Sequence, residues 1–283
     1  MADAGGALAV ADCRSEPDVI AALQAEQPHA LLVQFAPIGA AAIGSAGDLR
    51  AIVRYGVGLD NVDTDAARAA GIQLGLVPDY CIDEVADHTF ALLLAVARGV
   101  VDLATSTRAG AWDWRAAQPV RRLRGQTLGL LGYGRVGQAV AQRASGFGLQ
   151  TLIFDPAAPE QSTTDLTTLL RQTNILSVHV PLTDETRGMI GTAELELLPA
   201  GAIVLNASRG GIIDEDALAA ALDSGHLAGA GLDVLATEPP LAGHPLIGKP
   251  GLVLTPHTAW YSEESILELR RRATEQAITM ARS

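Results

Sequence analysis

The segment Leu128-Gly-Leu-Leu-Gly132-Tyr-Gly134-Arg-Val-Gly137 confines its part of the chain to one kind of turn. An apolar run enters three spaced glycines, an alanine-rich stretch of helical character continues to about residue 143, and a second apolar run, Leu152-Ile-Phe-Asp155, ends in an acid. Gly132 permits a tight strand-to-helix turn, Gly134 lets the backbone come close to a bound group, and Gly137 lets the helix lie near its strand. The amino end of that helix presents N–H groups without intrahelical partners, which suit a diphosphate. Asp155 can accept hydrogen bonds from two ribose hydroxyls, whereas a 2′-phosphate beside it meets like charge with no neighbouring arginine to offset it. The pattern reads as a dinucleotide site that favours NAD over NADP. Glycine spacing alone is weak evidence in a chain with 29 glycines, so the bounding strands and the acid carry the reading.

A chain of 283 residues can form one large or two ordinary domains, each with its own core. The net charge of −12 argues against a nucleic-acid partner or an anionic membrane surface. No apolar run reaches transmembrane length, and no basic segment at the start leads into a long hydrophobic one. Cys13 and Cys81 form neither a metal-ligand cluster nor a disulfide framework, so the expectation is a reduced cytoplasm and no metal.

Two βα-rich blocks follow from the hydrophobic pattern. Residues 31–35, 51–54 and 72–76 read as short buried strands separated by alanine-rich helical stretches. Residues 84 to about 102 read as one long helix, apolar almost all round, which suits an element packed between domains. The polar, Trp-containing stretch 106–124 is the expected first crossing. Strands are then expected at 127–131, 151–155, 175–178, 202–205, 229–232 and 252–254, implying a largely parallel sheet with helices on both faces. A final helix at about 263–280 can return to the first domain, with a second hinge near residue 260.

Three loops that follow strands carry candidate chemistry. Arg209, in Asn206-Ala-Ser-Arg209-Gly210-Gly211, can clamp a carboxylate through its planar fork and polarise an adjacent carbonyl, although a surface or helix-packing arginine explains it equally well in isolation. Glu238-Pro-Pro and Thr255-Pro-His257 open at the same carboxyl edge. An imidazole can release and reclaim a hydroxyl proton, and a carboxylate can orient it and favour its protonated form. A surface histidine and an acidic cap are as good an account of either residue alone; their joint placement with Arg209 tips the balance.

The chain resembles the D-isomer-specific 2-hydroxyacid dehydrogenase family over about residues 10–283. Its markers are Tyr55-Gly-Val-Gly-Leu-Asp60-Asn, Val85-Ala-Asp-His-Thr89, the glycine turn, Asn206-Ala-Ser-Arg209-Gly and Thr255-Pro-His257. The resemblance implies an α/β fold: a Rossmann dinucleotide-binding domain over 102–262, and a smaller flavodoxin-like substrate-binding domain over 1–101 to which helix 263–283 returns. It implies Arg209, Glu238 and His257 as the catalytic set for hydride transfer between a D-2-hydroxyacid and a 2-oxoacid, with NADH as donor in the reducing direction. His257 is the acid/base, Arg209 holds carbonyl and carboxylate, and Glu238 supports protonated His257. It places Thr89, Val136 and Asp233 at the cofactor beside Gly132, Gly134, Arg135, Gly137, Asp155 and Ala207. The backbone at Val57 and Gly58 receives the substrate carboxylate, and a homodimer is the expected assembly.

Thr255-Pro-His257-Thr-Ala-Trp260 further resembles the C-terminal binding protein branch, where an indole can pack against the substrate side chain or only against its own domain. Tyr80 can form another pocket wall or simply pack a loop. His179, ahead of Pro181, is expected to frame the cofactor loop through its backbone. His29, His88, His226 and His244 lack metal-ligand spacing, and Trp112 and Trp114 suit dimer or interdomain packing. Relatives usually begin with one more strand and helix before the segment matching Leu8-Ala-Val10, so the first domain is expected to lack them. The leading expectation is a reductase of small or moderately apolar 2-oxoacids; the alternatives are an NAD(H)-sensing interaction protein and a homologue impaired by its short amino terminus.

Overall fold

The computed structural model describes residues 6–117 and 119–282. The chain divides into two compact units, one of Met1–Tyr80 with Ser262–Ser283 and one of Cys81–Tyr261.

The smaller unit runs α1 (Glu16–Glu26), β1 (Ala30–Val33), α2 (Ala40–Ser45), β2 (Ala51–Arg54), α3 (Thr64–Ala69) and β3 (Gln73–Gly75). The strands pair in parallel in the order β1-β2-β3. Helix starts are set by local acids: Asp18 accepts from both the Ser15 N–H and its hydroxyl, and Asp63 accepts from the Ala66 N–H. Val19, Leu23, Ala42, Ile43 and Ala67 from the helices close one face of the sheet around Ile52 and Val33. Leu8-Ala-Val10 has no regular structure, and Leu8 and Val10 are exposed.

The larger unit opens with α4 (Ile82–Ala97) and α5 (Val100–Arg108), then alternates β4 (Thr127–Leu131), α6 (Arg135–Gly146), β5 (Gln150–Phe154), α7 (Leu166–Gln172), β6 (Ile175–Val178), α8 (Thr192–Leu197), β7 (Ala202–Asn206), α9 (Glu215–Asp223), β8 (Leu227–Leu232) and β9 (Leu252–Leu254). All six strands are parallel, in the order β5-β4-β6-β7-β8-β9. Their apolar runs are continuous because both faces are covered. Alternate residues divide between two cores: Leu128, Leu130, Ile175, Ile203 and Leu205 meet α4 and α6, while Leu131, Leu176, Val178 and Val204 meet α7, α8 and α9. This is the expected Rossmann-type α/β architecture.

The expected single helix over 84–102 is two helices bent by 63°. Gly99 at the junction is left-handed (φ 57°, ψ 33°), and a Cβ there would lie 2.5 Å from that of Ala117. The first boundary also falls at Tyr80/Cys81 rather than at 101/102, because α4 belongs to the larger sheet. Gly229 and Gly231 leave the surface of β8 bare; a Cβ at these positions would come within 2.6 Å of Val96 Cγ1 and 2.9 Å of Leu92 Cβ. No single helix among the described residues is long and apolar enough to cross a membrane.

The closing helix α10 (Glu263–Arg282) lies on the remaining face of the smaller sheet, with Leu269, Ala273 and Ala277 against Val53, Val77 and Leu32. Gln276 fixes its register, its side-chain amide Nε2 donating to the Leu76 carbonyl at 2.8 Å.

Candidate active site

Because the larger sheet is parallel throughout, the loops after β4, β6, β7, β8 and β9 open along one edge. The strand order reverses between β4 and its neighbours β5 and β6, which leaves a crevice beside the glycine turn.

Each glycine of that turn has a distinct structural duty. Gly132 is left-handed (φ 97°), and a Cβ on it would meet the His179 carbonyl carbon at 2.7 Å and the Val180 nitrogen at 2.8 Å. A Cβ on Gly137 would meet the Gly132 carbonyl oxygen, so only glycine allows the first turn of α6 to close on the strand end. Gly134 has nothing within 4 Å of its Cβ position, and as N-cap of α6 it offers no side-chain acceptor to the helix N–H groups. Asp155 is buried at the end of β5, its Oδ2 accepting from the Tyr133 N–H at 2.7 Å and its Oδ1 from Ala157 N–H at 2.9 Å. Oδ1 also accepts from the Ala158 N–H at 3.2 Å, so the lone pair kept for a hydroxyl donor is on Oδ2. His179 closes the floor: Ser177 Oγ lies 2.8 Å from its Nε2, while its Nδ1 is sealed from solvent without a hydrogen-bond partner. Burial drives the His179 pKa from 6.5 down to about 4, so the ring is neutral. The open approach at Gly134, the bare helix end and the buried acid fit a dinucleotide.

The second cluster is assembled by backbone contacts. Asn206 folds the Arg209 loop, its Oδ1 accepting from the Ser208 N–H at 3.0 Å and its Nδ2 donating to the Arg209 carbonyl at 2.8 Å. A Cβ on Gly210 would collide with the Leu235 carbonyl and the Ala236 nitrogen, so this glycine lets the Arg209 loop rest on the peptide ahead of Glu238. Glu238 Oε1 accepts from the Leu235 N–H at 2.9 Å, and its Oε2 lies 2.6 Å from His257 Nδ1. Burial pushes the Glu238 carboxyl up, but hydrogen bonds from His257 and Leu235 and the charges of His257 and Arg209 outweigh it and hold the pKa below the usual range. Glu238 is therefore an ionised partner for the imidazole.

His257 occupies left-handed backbone (φ 50°), uncommon for a residue with a side chain. Its N–H donates to the Asp233 carbonyl at 2.8 Å, and its own carbonyl accepts from Trp260 Nε1 at 2.9 Å. The buried Asp233 carboxylate ties down the same turn by accepting from Thr255 Oγ1 at 2.6 Å, Thr258 N–H at 2.9 Å and Ala259 N–H at 2.8 Å.

Trp260 spends its polar edge on the His257 carbonyl and stands edge-on to Tyr261, with ring centroids 5.7 Å apart. Thr89 is buried on α4, its hydroxyl donating to the Val85 carbonyl, and Val136 packs against the α4/α6 core. Arg135 is exposed in the first turn of α6, and Ala207 is half-buried in the Arg209 loop. Val57, Gly58 and Tyr80 belong to the smaller unit; Val57 is exposed after β2, and Tyr80 packs against the α10 core. Sequence reasoning passed over two histidines. His88 Nε2 lies 2.9 Å from Thr255 Oγ1 and 3.5 Å from Asp233, and His244 pairs with Glu215. Thr255 lies 167 positions beyond His88, so no local spacing reveals that contact.

The family model for the D-isomer specific 2-hydroxyacid dehydrogenase NAD-binding domain matches residues 90–259, more than half of the chain. The glycerate dehydrogenase of Methylorubrum extorquens is 38% identical over 83% of this chain and 77% of its own length. The glyoxylate reductase of Thermococcus litoralis is 41% identical over 78% of this chain and 70% of its own. Among solved structures, the TT0316 protein of Thermus thermophilus superposes with a TM-score of 0.87 at 36% identity, covering 97% of this chain and 88% of that one. The likeness of the Trp260 segment to C-terminal binding proteins has no counterpart among these relatives. With its glycine turn, buried acid and NAD-binding match, the chain belongs to the D-isomer specific 2-hydroxyacid dehydrogenase family of NAD-dependent oxidoreductases.

Proposed function

We propose that the chain interconverts a D-2-hydroxyacid and a small or moderately apolar 2-oxoacid, with His257 as acid/base. The 2.6 Å contact between His257 Nδ1 and an ionised Glu238 carries this reading, because a carboxylate on Nδ1 orients the ring and supports its protonated form, making Nε2 the nitrogen assigned to proton exchange with substrate oxygen. The bound nicotinamide dinucleotide supplies the hydride in the reducing direction. His257 delivers a proton to the carbonyl oxygen, Glu238 offsets the imidazolium charge, and Arg209 holds the carboxylate and draws density from the carbonyl. Gly132, Gly134, Arg135, Val136, Gly137 and Asp155 hold the diphosphate and ribose, with Asp155 favouring NAD over NADP. Thr89, His179, Ala207 and Asp233 form the nicotinamide end.

The backbone at Val57 and Gly58 takes the substrate carboxylate, and Tyr80 and Trp260 border its side chain. Glycerate and glyoxylate, named in two relatives, set the starting point for substrate class. Val100, Val101, Trp112 and Trp114 are exposed on and after α5, an apolar surface suited to a second copy in a homodimer. Cys13 and Cys81, which are not joined in a disulfide, suit a reduced cytoplasm. The decisive test is NADH oxidation by the purified chain with glyoxylate, hydroxypyruvate, pyruvate and phenylpyruvate, beside His257→Ala. Turnover absent in that variant supports the reading; turnover that survives His257→Ala removes it.

A further inference from the structure

Outside the Arg209, Glu238 and His257 set lies a second carboxylate–imidazole pair. Glu215, the first residue of α9, has its Oε2 3.0 Å from His244 Nε2, with side chains only 17% and 11% exposed. His244 Nδ1 accepts from the Leu246 N–H at 3.3 Å, which assigns the ring proton to Nε2 and makes it the donor to Glu215. The other oxygen, Glu215 Oε1, accepts from the Ala236 N–H at 2.6 Å.

That N–H belongs to the peptide joining Leu235 and Ala236, and both halves of the acid/base cluster are referenced to the backbone of Leu235. Gly210, next to Arg209, rests on its carbonyl, and the N–H of Leu235 is the backbone donor to Glu238. The N–H that Glu238 accepts from lies in the preceding peptide, so turning the Leu235–Ala236 peptide would shift the support of the Arg209 loop directly and Glu238 through the Leu235 backbone. Glu215 fixes the Ala236 N–H, and His244 fixes the Glu215 rotamer from the loop between β8 and β9.

Resting on the reductase reading above, we infer that Glu215, oriented by His244, is a positioning residue for the Arg209–Glu238–His257 chemistry. It touches neither substrate nor cofactor; it acts through the backbone around Leu235. Misplacement of reacting groups by about 1 Å costs up to about 10²-fold in rate, which sets the scale of the effect.

The test uses the full chain with NADH and its best 2-oxoacid. Glu215→Ala is expected to lower kcat by up to about 10²-fold with NADH affinity unchanged, and Glu215→Gln, which keeps an acceptor for Ala236 but turns an amide donor toward His244 Nε2–H, to recover part of the loss. In a Glu238→Ala background the Glu215→Ala effect should shrink to a few-fold, since coupled residues are not additive whereas a general loss of stability would multiply through. A proton NMR spectrum of the His257 ring gives a readout independent of turnover: the hydrogen-bonded Nδ1–H signal, absent in Glu238→Ala, should weaken or shift in Glu215→Ala and return in part in Glu215→Gln. Full kcat with an unmoved signal in Glu215→Ala overturns the inference while leaving the reductase intact. If wild type turns over no 2-oxoacid but its signal weakens or shifts in Glu215→Ala, the positioning role stands and the reductase reading is rejected.

Discussion

Acidification should loosen this protein through one identifiable ring. His179 is held neutral under the glycine turn, its pKa lowered by burial from 6.5 to about 4. Between those values the unfolded chain binds a proton that the folded chain does not, so stability is complete above the unfolded value and falls as pH drops toward the folded one. A gap of about 2.5 units at about 1.36 kcal/mol each amounts to roughly 3 kcal/mol at about pH 4. Against a typical total of about 5–15 kcal/mol that is a large fraction. Urea unfolding at about pH 7 and about pH 4 should be compared between wild type and His179→Gln, whose neutral amide can still meet Ser177. Wild type should lose roughly 3 kcal/mol more than the variant, a difference in which Glu238 and other titrating groups cancel. Equal losses in the two proteins would refute a ring kept neutral by burial.

Other consequences are open to direct measurement. Glu238→Gln keeps the shape of the His257 contact but removes its charge; a charge-assisted hydrogen bond is about twice as strong as a neutral one, so kcat/KM should fall about tenfold with NADH binding unchanged. Arg209→Lys keeps the charge and loses the planar fork, and steady-state kinetics should show a loss of about 10–10²-fold. Gly132→Ala puts a Cβ on left-handed backbone against the His179–Val180 peptide, and thermal or denaturant unfolding should register a cost of about 1–3 kcal/mol together with weaker NADH binding.

The parts legible in the sequence were those whose chemistry is local. Gly132, Gly137 and Asp155 declare a turn and an acid within one βα unit, and the apolar runs at 127–131 and 175–178 coincide with β4 and β6. The bend at Gly99 was harder to read, since an isolated glycine in an apolar helical pattern is often tolerated and Ala117, which closes on it, is distant in sequence. The boundary at Tyr80/Cys81 depends on Val96 and Leu92 finding Gly229 and Gly231, a long-range fit invisible to periodicity. His88 and His244 were passed over for the same reason. Their partners, Thr255 and Glu215, come from separate elements that only the folded sheet brings together.

The paired glycines of β8 also decide where this protein can be divided. A fragment starting at residue 102, chosen to isolate the nucleotide-binding half, would discard Phe90, Leu92 and Leu93 and leave a trough of bare backbone and apolar side chains facing water. Starting at Cys81 keeps the helix that fills the trough and, with it, His88 beside Thr255. The transferable module therefore begins with a helix that precedes its first strand.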